Sequence, residues 1–319
     1  MLNFLKSKNP IFFLTISGTG LICSIINHVL FINNSNTNWI TLGELNIHKS
    51  FWYLLYAFVV FFSALKFNQI INRSIFFQRT NYLSGLIFLL LTVSSAPIHH
   101  SVLPCLSNLF VILALGNLLN IYRNRSCKTE IFNATCWLIL SAIIYSANLF
   151  IIPLLWITLY YVRPFDWREY VMPLIAILFM GVYFITFYLL FPEHNLWLKN
   201  LKNTYFNEIS IKNIIWWYWV ALLVFGVVIS AKTVFISFSR SSNRYKKITW
   251  ILTSLLVCGV LQLIFRLTTS NVNASFLYGI LIPFSVLVSN TILNTKKPGI
   301  VSSYIVASIF GYFLVTYVI

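Results

Sequence analysis

The sequence predicts an all-α, polytopic membrane protein with about eleven transmembrane helices in one domain over residues 1–319. Three observations carry that expectation. First, 59% of the residues are hydrophobic and only 9% are charged, with a mean hydropathy of +0.83, outside the range of ordinary soluble domains. Second, no polar stretch exceeds about twenty residues, which leaves no room for a soluble domain beside the membrane body. Third, a mid-chain apolar block, residues 131–162, is fenced by basic residues at both ends: Arg123, Arg125 and Lys128 before it, Arg163 and Arg168 after it.

That block sets the parity of the other spans. Basic flanks lie on the cytoplasmic side of a membrane, so two basic ends predict a segment that goes in and returns as a pair of short helices. The turn is expected near Tyr145-Ser146-Ala147-Asn148. Each arm would be about 24 Å long against a hydrocarbon core of ~30 Å, so the hairpin should stop short in a protein-lined recess at the outer face. One long tilted helix is the rival reading.

In chain order, apolar runs place spans near 11–32, 50–66, 81–95, 102–121, the two arms of 131–162, 170–191, 213–231, 248–265, 275–293 and 300–318. Lys6 and Lys8 precede the first run, which lacks a small-residue cleavage site and is expected to be retained as a helix. With the N-terminus cytoplasmic and the C-terminus outside, seventeen of the 22 lysines and arginines fall in inner connections. Lys49, Lys199, Lys202, Lys212 and Arg266 are the outer ones. Merging the hairpin into one helix would put Lys232 to Lys247 and Lys296-Lys297 outside, against that bias. The +16 net charge is therefore assigned to topology, with no nucleic-acid partner expected. Five scattered cysteines without a C-x-x-C pair read as packing residues.

Six acidic residues allow each to be considered. Asp166 and Glu169 have the spacing of a helix N-cap and its N3 carboxylate. Glu130 reads as a helix-start charge. Glu44, Glu193 and Glu208 fall outside, with His48, His99, His100 and His194. Carboxylate and imidazole on one face suit acid–base work, with Glu44 as the catalytic candidate, but no H-x-x-x-H or H-E-x-x-H spacing supports a metal site. Neither metal nor cofactor is expected. Residues 196–205 carry an amphipathic pattern suited to the membrane interface. Trp216, Trp217, Tyr218 and Trp219 open the next span and serve either an aromatic belt or a substrate-lining face. Arg266, beside Gln262 at the end of an apolar run, could hold a lipid phosphate or snorkel to the interface.

Ser107-Asn108-Leu109-Phe110, Glu130-Ile131-Phe132-Asn133-Ala134 and Arg163-Pro164-Phe165-Asp166-Trp167-Arg168-Glu169-Tyr170 resemble an uncharacterised integral-membrane family of Bacteroidetes, chiefly flavobacteria. The resemblance covers the middle third and implies the inner membrane of a Gram-negative cell. Gly116-Asn117 stands where that family often has a double arginine. The architecture is also similar to the membrane modules of polyprenyl-phosphate-dependent glycosyltransferases, in which an acidic residue of the first outer loop acts at the sugar acceptor. That role carries over only to Glu44, because the expected acidic pair is absent and Leu45 follows it.

The Bacteroidetes family implies no settled activity, and the glycosyltransferase resemblance implies a role in cell-envelope biogenesis, with membrane lipid and a polyprenyl-phosphate donor as partners. Arg266 would bind the lipid phosphate, and His48, His99, His100, Glu193, His194, Trp216 and Trp217 would contact substrate. The alternative is a non-enzymatic structural or accessory subunit of an envelope complex, with membrane-protein partners. A transporter ranks last, because ionisable residues within the spans are nearly absent.

Overall fold

The computed structural model describes residues 18, 39–42, 45–77, 80–94, 102–122, 126–190, 213–268 and 277–294. Their regular structure is helical apart from one antiparallel pair, β1 (Trp39–Leu42) and β2 (Leu45–His48), in the register Trp39 to His48 and Leu42 to Leu45. The helices are α1 (Lys49–Ser74), α2 (Leu83–Ser94), α3 (Val102–Asn120), α4 (Lys128–Ile144), α5 (Leu154–Val162), α6 (Trp167–Leu190), α7 (Asn213–Arg240), α8 (Asn243–Thr268) and α9 (Leu277–Asn294). A short 3-10 helix, Ser146–Ile151, joins α4 to α5.

The chain is a membrane protein by the length and composition of its helices. Among the described residues, Leu54–Ser74, Val102–Asn120 and Trp167–Phe187 are long and apolar enough to cross a bilayer. Four further apolar stretches are shorter, including Asn148–Val162 and Gly279–Asn294. The expected count of about eleven spans is thus not reached here. The first expected span, 11–32, apart from Gly18, the last, 300–318, and the interfacial pattern at 196–205 lie outside the described residues.

The mid-chain block goes in and comes back. α4 stops at Ile144, Tyr145 is extended (φ −136°, ψ 100°), and the 3-10 turn redirects the chain into α5. The return is fixed by contacts between the two ends. Arg163 Nη2 donates to the Ile121 carbonyl at 3.3 Å, and the Cys127 N–H donates to Glu169 Oε1 at 3.4 Å. Seventeen residues of α4 rise about 26 Å while the nine of α5 rise about 14 Å, so the arms are unequal where equal ones were expected.

One end of the bundle gathers the basic residues. Arg244 Nη2 donates to the Ser74 carbonyl at the end of α1 (2.6 Å), and Lys247 Nζ to the Val162 carbonyl at the end of α5 (2.6 Å). With Arg163 on Ile121, three cations sit on carbonyls that a finished helix leaves without an internal partner, where the helix dipole favours positive charge. Asp166 is the expected N-cap: its Oδ1 accepts the Arg168 N–H at 3.1 Å. Glu169 does more than cap α6. It is buried and pairs with Arg163 Nη1 at 3.0 Å, tying the start of α6 to both ends of the hairpin.

α9 runs through the middle. Every residue from Gly279 to Ile292 is buried, against α2, α7, α8 and, more lightly, α3. α3 is 67% buried over its span and α6 only 11%, so α6 lies at the periphery. Its row Val171, Leu174, Ile175, Leu178, Val182 and Ile185 is exposed, as lipid-facing side chains are. Helices in lipid associate through close packing rather than through exclusion of water. Gly85 illustrates this: a Cβ there would stand 2.8 Å from the Asn68 Cβ and 3.1 Å from the Ala64 carbonyl, so α2 can approach α1 only as glycine. Phe67 and Phe88 pack beside that contact, their ring centroids 5.2 Å apart.

Removing one partner of a buried ion pair leaves an uncompensated charge, which costs about 3 kcal/mol. Glu169→Leu and Arg163→Met should each lower the unfolding midpoint in detergent, and the double variant should lie closer to wild type than either. Equal and additive losses would show that the pair is not coupled.

Candidate functional site

Buried hydroxyls in this bundle divide into two kinds. Most bond back to their own helix: Ser63 to the Val60 carbonyl, Thr92 to Leu89, Thr158 to Leu155, Ser254 to Ile251, Ser285 to Ile282 and Ser289 to Val286. Such groups are satisfied locally and need no partner on another helix. Ser84, which donates to Asn68 Oδ1 on α1 at 3.2 Å, and the pair Ser107 and Ser141 reach across to another helix.

Ser107 Oγ on α3 donates to the Ser141 carbonyl on α4 at 2.9 Å and lies 2.9 Å from Ser141 Oγ. Asn148 of the 3-10 turn places Nδ2 at 2.6 Å from both hydroxyl oxygens. Its Oδ1 accepts from Gln262 Nε2 on α8 at 3.3 Å. Four side chains from four elements thus form one buried, uncharged network at the end of the bundle opposite Arg163, Arg244 and Lys247. One acceptor of this network is unused. Gln262 Oε1 and, on the neighbouring α3 position, Asn108 Oδ1 are buried without a hydrogen-bond partner.

The network sits where the chain most needs it. Backbone that leaves helical geometry inside a membrane must be enclosed by protein or line a cavity. Asn148 holds the 3-10 turn to α3, α4 and α8 at once, so the hairpin turn is tied to buried polar groups of the surrounding helices.

None of the residues chosen from sequence has a described side chain. Glu44, His99, His100, Glu193 and His194 lie outside the described residues. The backbones of His48, at the end of β2, of Trp216 and Trp217, in the first turn of α7, and of Arg266 are described, but their side chains are not. Arg266 follows Gln262 by four residues, one turn further along α8. Of the network, sequence reasoning placed Asn148 in the expected turn, quoted Ser107 only in a family resemblance and noted Gln262 only as a neighbour of Arg266. An amide inside an apolar run was the available signal.

The three described carboxylates all lie at the basic end. Asp166 caps α6, Glu169 pairs with Arg163, and Glu130 accepts from the Thr129 hydroxyl at 2.9 Å. Cys127 lies there too: burial pushes its thiol above the ordinary value, and Sγ donates to the Ile121 carbonyl at 3.1 Å. Such a thiol packs rather than reacts. Among the described residues no three His, Cys, Asp or Glu side chains gather as metal ligands do.

Replacing Asn148 with Leu would strand Ser107, Ser141 and Gln262 together. A loss of about 2 kcal/mol is expected, together with faster amide exchange confined to residues 145–153. Unchanged exchange there would mean that the turn is held by packing alone.

No family model matches the chain, and neither does any curated protein or solved structure.

Proposed function

We propose that this chain is a multi-pass protein of the inner membrane of a Gram-negative cell, one domain with the eleven-span plan and a cytoplasmic N-terminus, and that it serves cell-envelope biogenesis through its outer face. The observation that carries this reading is the polarity of the bundle. Cations that cap helix ends collect at one end, as expected of a cytoplasmic face, and the uncharged Asn148 network lies at the other.

On the plan of lipid-linked glycosyltransferase membrane modules, Glu44 would act as general base or orient the acceptor, and Arg266 would hold the lipid phosphate of a polyprenyl donor. Trp216 and Trp217 would line the groove, with His48, His99, His100, Glu193 and His194 in the outer connections.

A second reading, a non-enzymatic accessory subunit of an envelope complex, is favoured by the placement of charge. Each described carboxylate is engaged at the basic end, and the described network at the other end is neutral.

Single cysteines at positions 44, 146, 194 and 266 in a cysteine-free background test the plan. Labelling of all four from the periplasmic side is expected, and an unreachable position 146 would overturn the topology. Glu44→Gln then separates the two roles. Loss of a glycosylation product at normal protein level supports chemistry, whereas an unchanged product with loss of a co-purifying membrane protein on disrupting α6 supports the accessory subunit.

A further inference from the structure

One stripe of α8 is left open by the bundle. Lys246, Trp250, Val257 and Leu261 fall within about 60° of one another around the helix axis. Trp250, Val257 and Leu261 are exposed, whereas Ile251, Leu252, Leu255 and Cys258 on the other faces are buried. From Lys246 to Leu261 the helix rises about 22 Å, close to the depth of one bilayer leaflet with its head groups. The stripe passes from a cation through an aromatic ring to aliphatic side chains over the length of one phospholipid.

The cation at its head keeps its charge. α8 opens with Arg244, Lys246 and Lys247 and has no acidic residue in its first turn. Arg244 and Lys247 donate to helix-end carbonyls, and the one ion pair among the described residues joins Arg163 to Glu169. Lys246 Nζ instead lies 5.7 Å from the centre of the Phe238 ring on α7, a neighbour that attracts a cation without cancelling it. From there a row of rings crosses three helices. Phe238 meets Trp250 edge-on at 6.2 Å, and Trp250 stacks on Tyr161 of α5 at 4.6 Å with the planes 3° apart. The other cation–ring contacts differ: Lys66 over Phe62 and Arg168 over Trp167 each lie within one helix, and Lys247 over Tyr122 is already bonded to the Val162 carbonyl.

We propose that this face of α5, α7 and α8 binds one anionic phospholipid, with its phosphate at Lys246, its glycerol level against Trp250 and Tyr161, and an acyl chain along Val257 and Leu261. Charge complementarity selects the class. A zwitterionic head group brings a cation of its own to a lysine without a carboxylate partner, whereas an anionic one brings only the charge that is missing. The rings and the aliphatic stripe select a lipid over a free phosphate, since amphipathic rings favour the level between head group and hydrocarbon. The inference rests on the chain being a membrane protein; it holds whichever side the basic end faces and is separate from the glycosyltransferase reading.

The test titrates the full chain in neutral detergent with phosphatidylglycerol and with phosphatidylcholine of the same acyl chains, reading the unfolding midpoint and the lipids retained in native mass spectra. Phosphatidylglycerol is expected to bind about fivefold more tightly, the worth of one lysine beside an anionic head group. Lys246→Gln should remove that preference and leave phosphatidylcholine binding as it was, Lys246→Arg should keep it, and Lys66→Gln should not change it. Equal binding of the two lipids by the wild type, or a preference that survives in Lys246→Gln, overturns the proposal. So does glycerol 3-phosphate, if it raises the midpoint as much as the lipid does. Should Lys246→Gln fail to fold, lipids brominated on the acyl chains decide the matter in the wild type: brominated phosphatidylglycerol should quench more of the tryptophan emission than brominated phosphatidylcholine, and Trp250→Phe should abolish the difference. Equal quenching by the two would overturn the proposal.

Discussion

Hydrocarbon offers no hydrogen bonds, and much of this structure follows from that constraint. A helix answers it with its own ladder, but a chain that turns back partway cannot. Between Ile144 and Leu154 the ladder is interrupted by an extended Tyr145 and a 3-10 turn. Asn148 then ties the turn to three helices through side chains that would otherwise bond their own backbone. α3, α4 and α8 are positioned relative to one another by the need to enclose this one interruption.

The opposite end answers the same constraint with charge. Carbonyls at the C-terminal ends of α1, α3 and α5 accept from Arg244, Arg163 and Lys247, so the cations gathered at this end complete its helices. Glu169 neutralises one of them and reaches the start of α4 as well. The ends of the hairpin are therefore held by ionic contacts and its tip by neutral ones, as suits a segment with one end near water and the other within the bundle.

The hairpin was legible because its signal is local: basic residues at both ends of a block too long for one span and too short for two full ones. The Asp166 cap was legible for the same reason, since N-cap spacing lies within four residues. The inequality of the arms was not, because an apolar run does not mark where a helix becomes a 3-10 turn. Nor was the Asn148 network. Ser107 and Ser141 look in sequence like Ser285 and Ser289, and only the packing of α3 against α4 separates a hydroxyl that bonds its own turn from one that reaches a neighbour. Glu169 was read as a local cap because its partner at Cys127 is 42 residues away. The outer-face candidates were chosen by charge and exposure, criteria blind to a neutral, buried set of amides and hydroxyls.

The burial of α9 bears on how the chain is made. Membrane helices enter the bilayer in the order of synthesis, and the helix about which α2, α7 and α8 pack is the last of those described to emerge from the ribosome. Until it arrives, α2 and α7 lack the neighbour that fills the space between them, and Gln262 faces lipid or a temporary companion. The assembled bundle is thus a post-insertion state. Quality-control proteases and chaperones of the membrane would meet a loosely associated set of helices for as long as translation takes to reach Asn294, and a delay before that point should matter more than one after it.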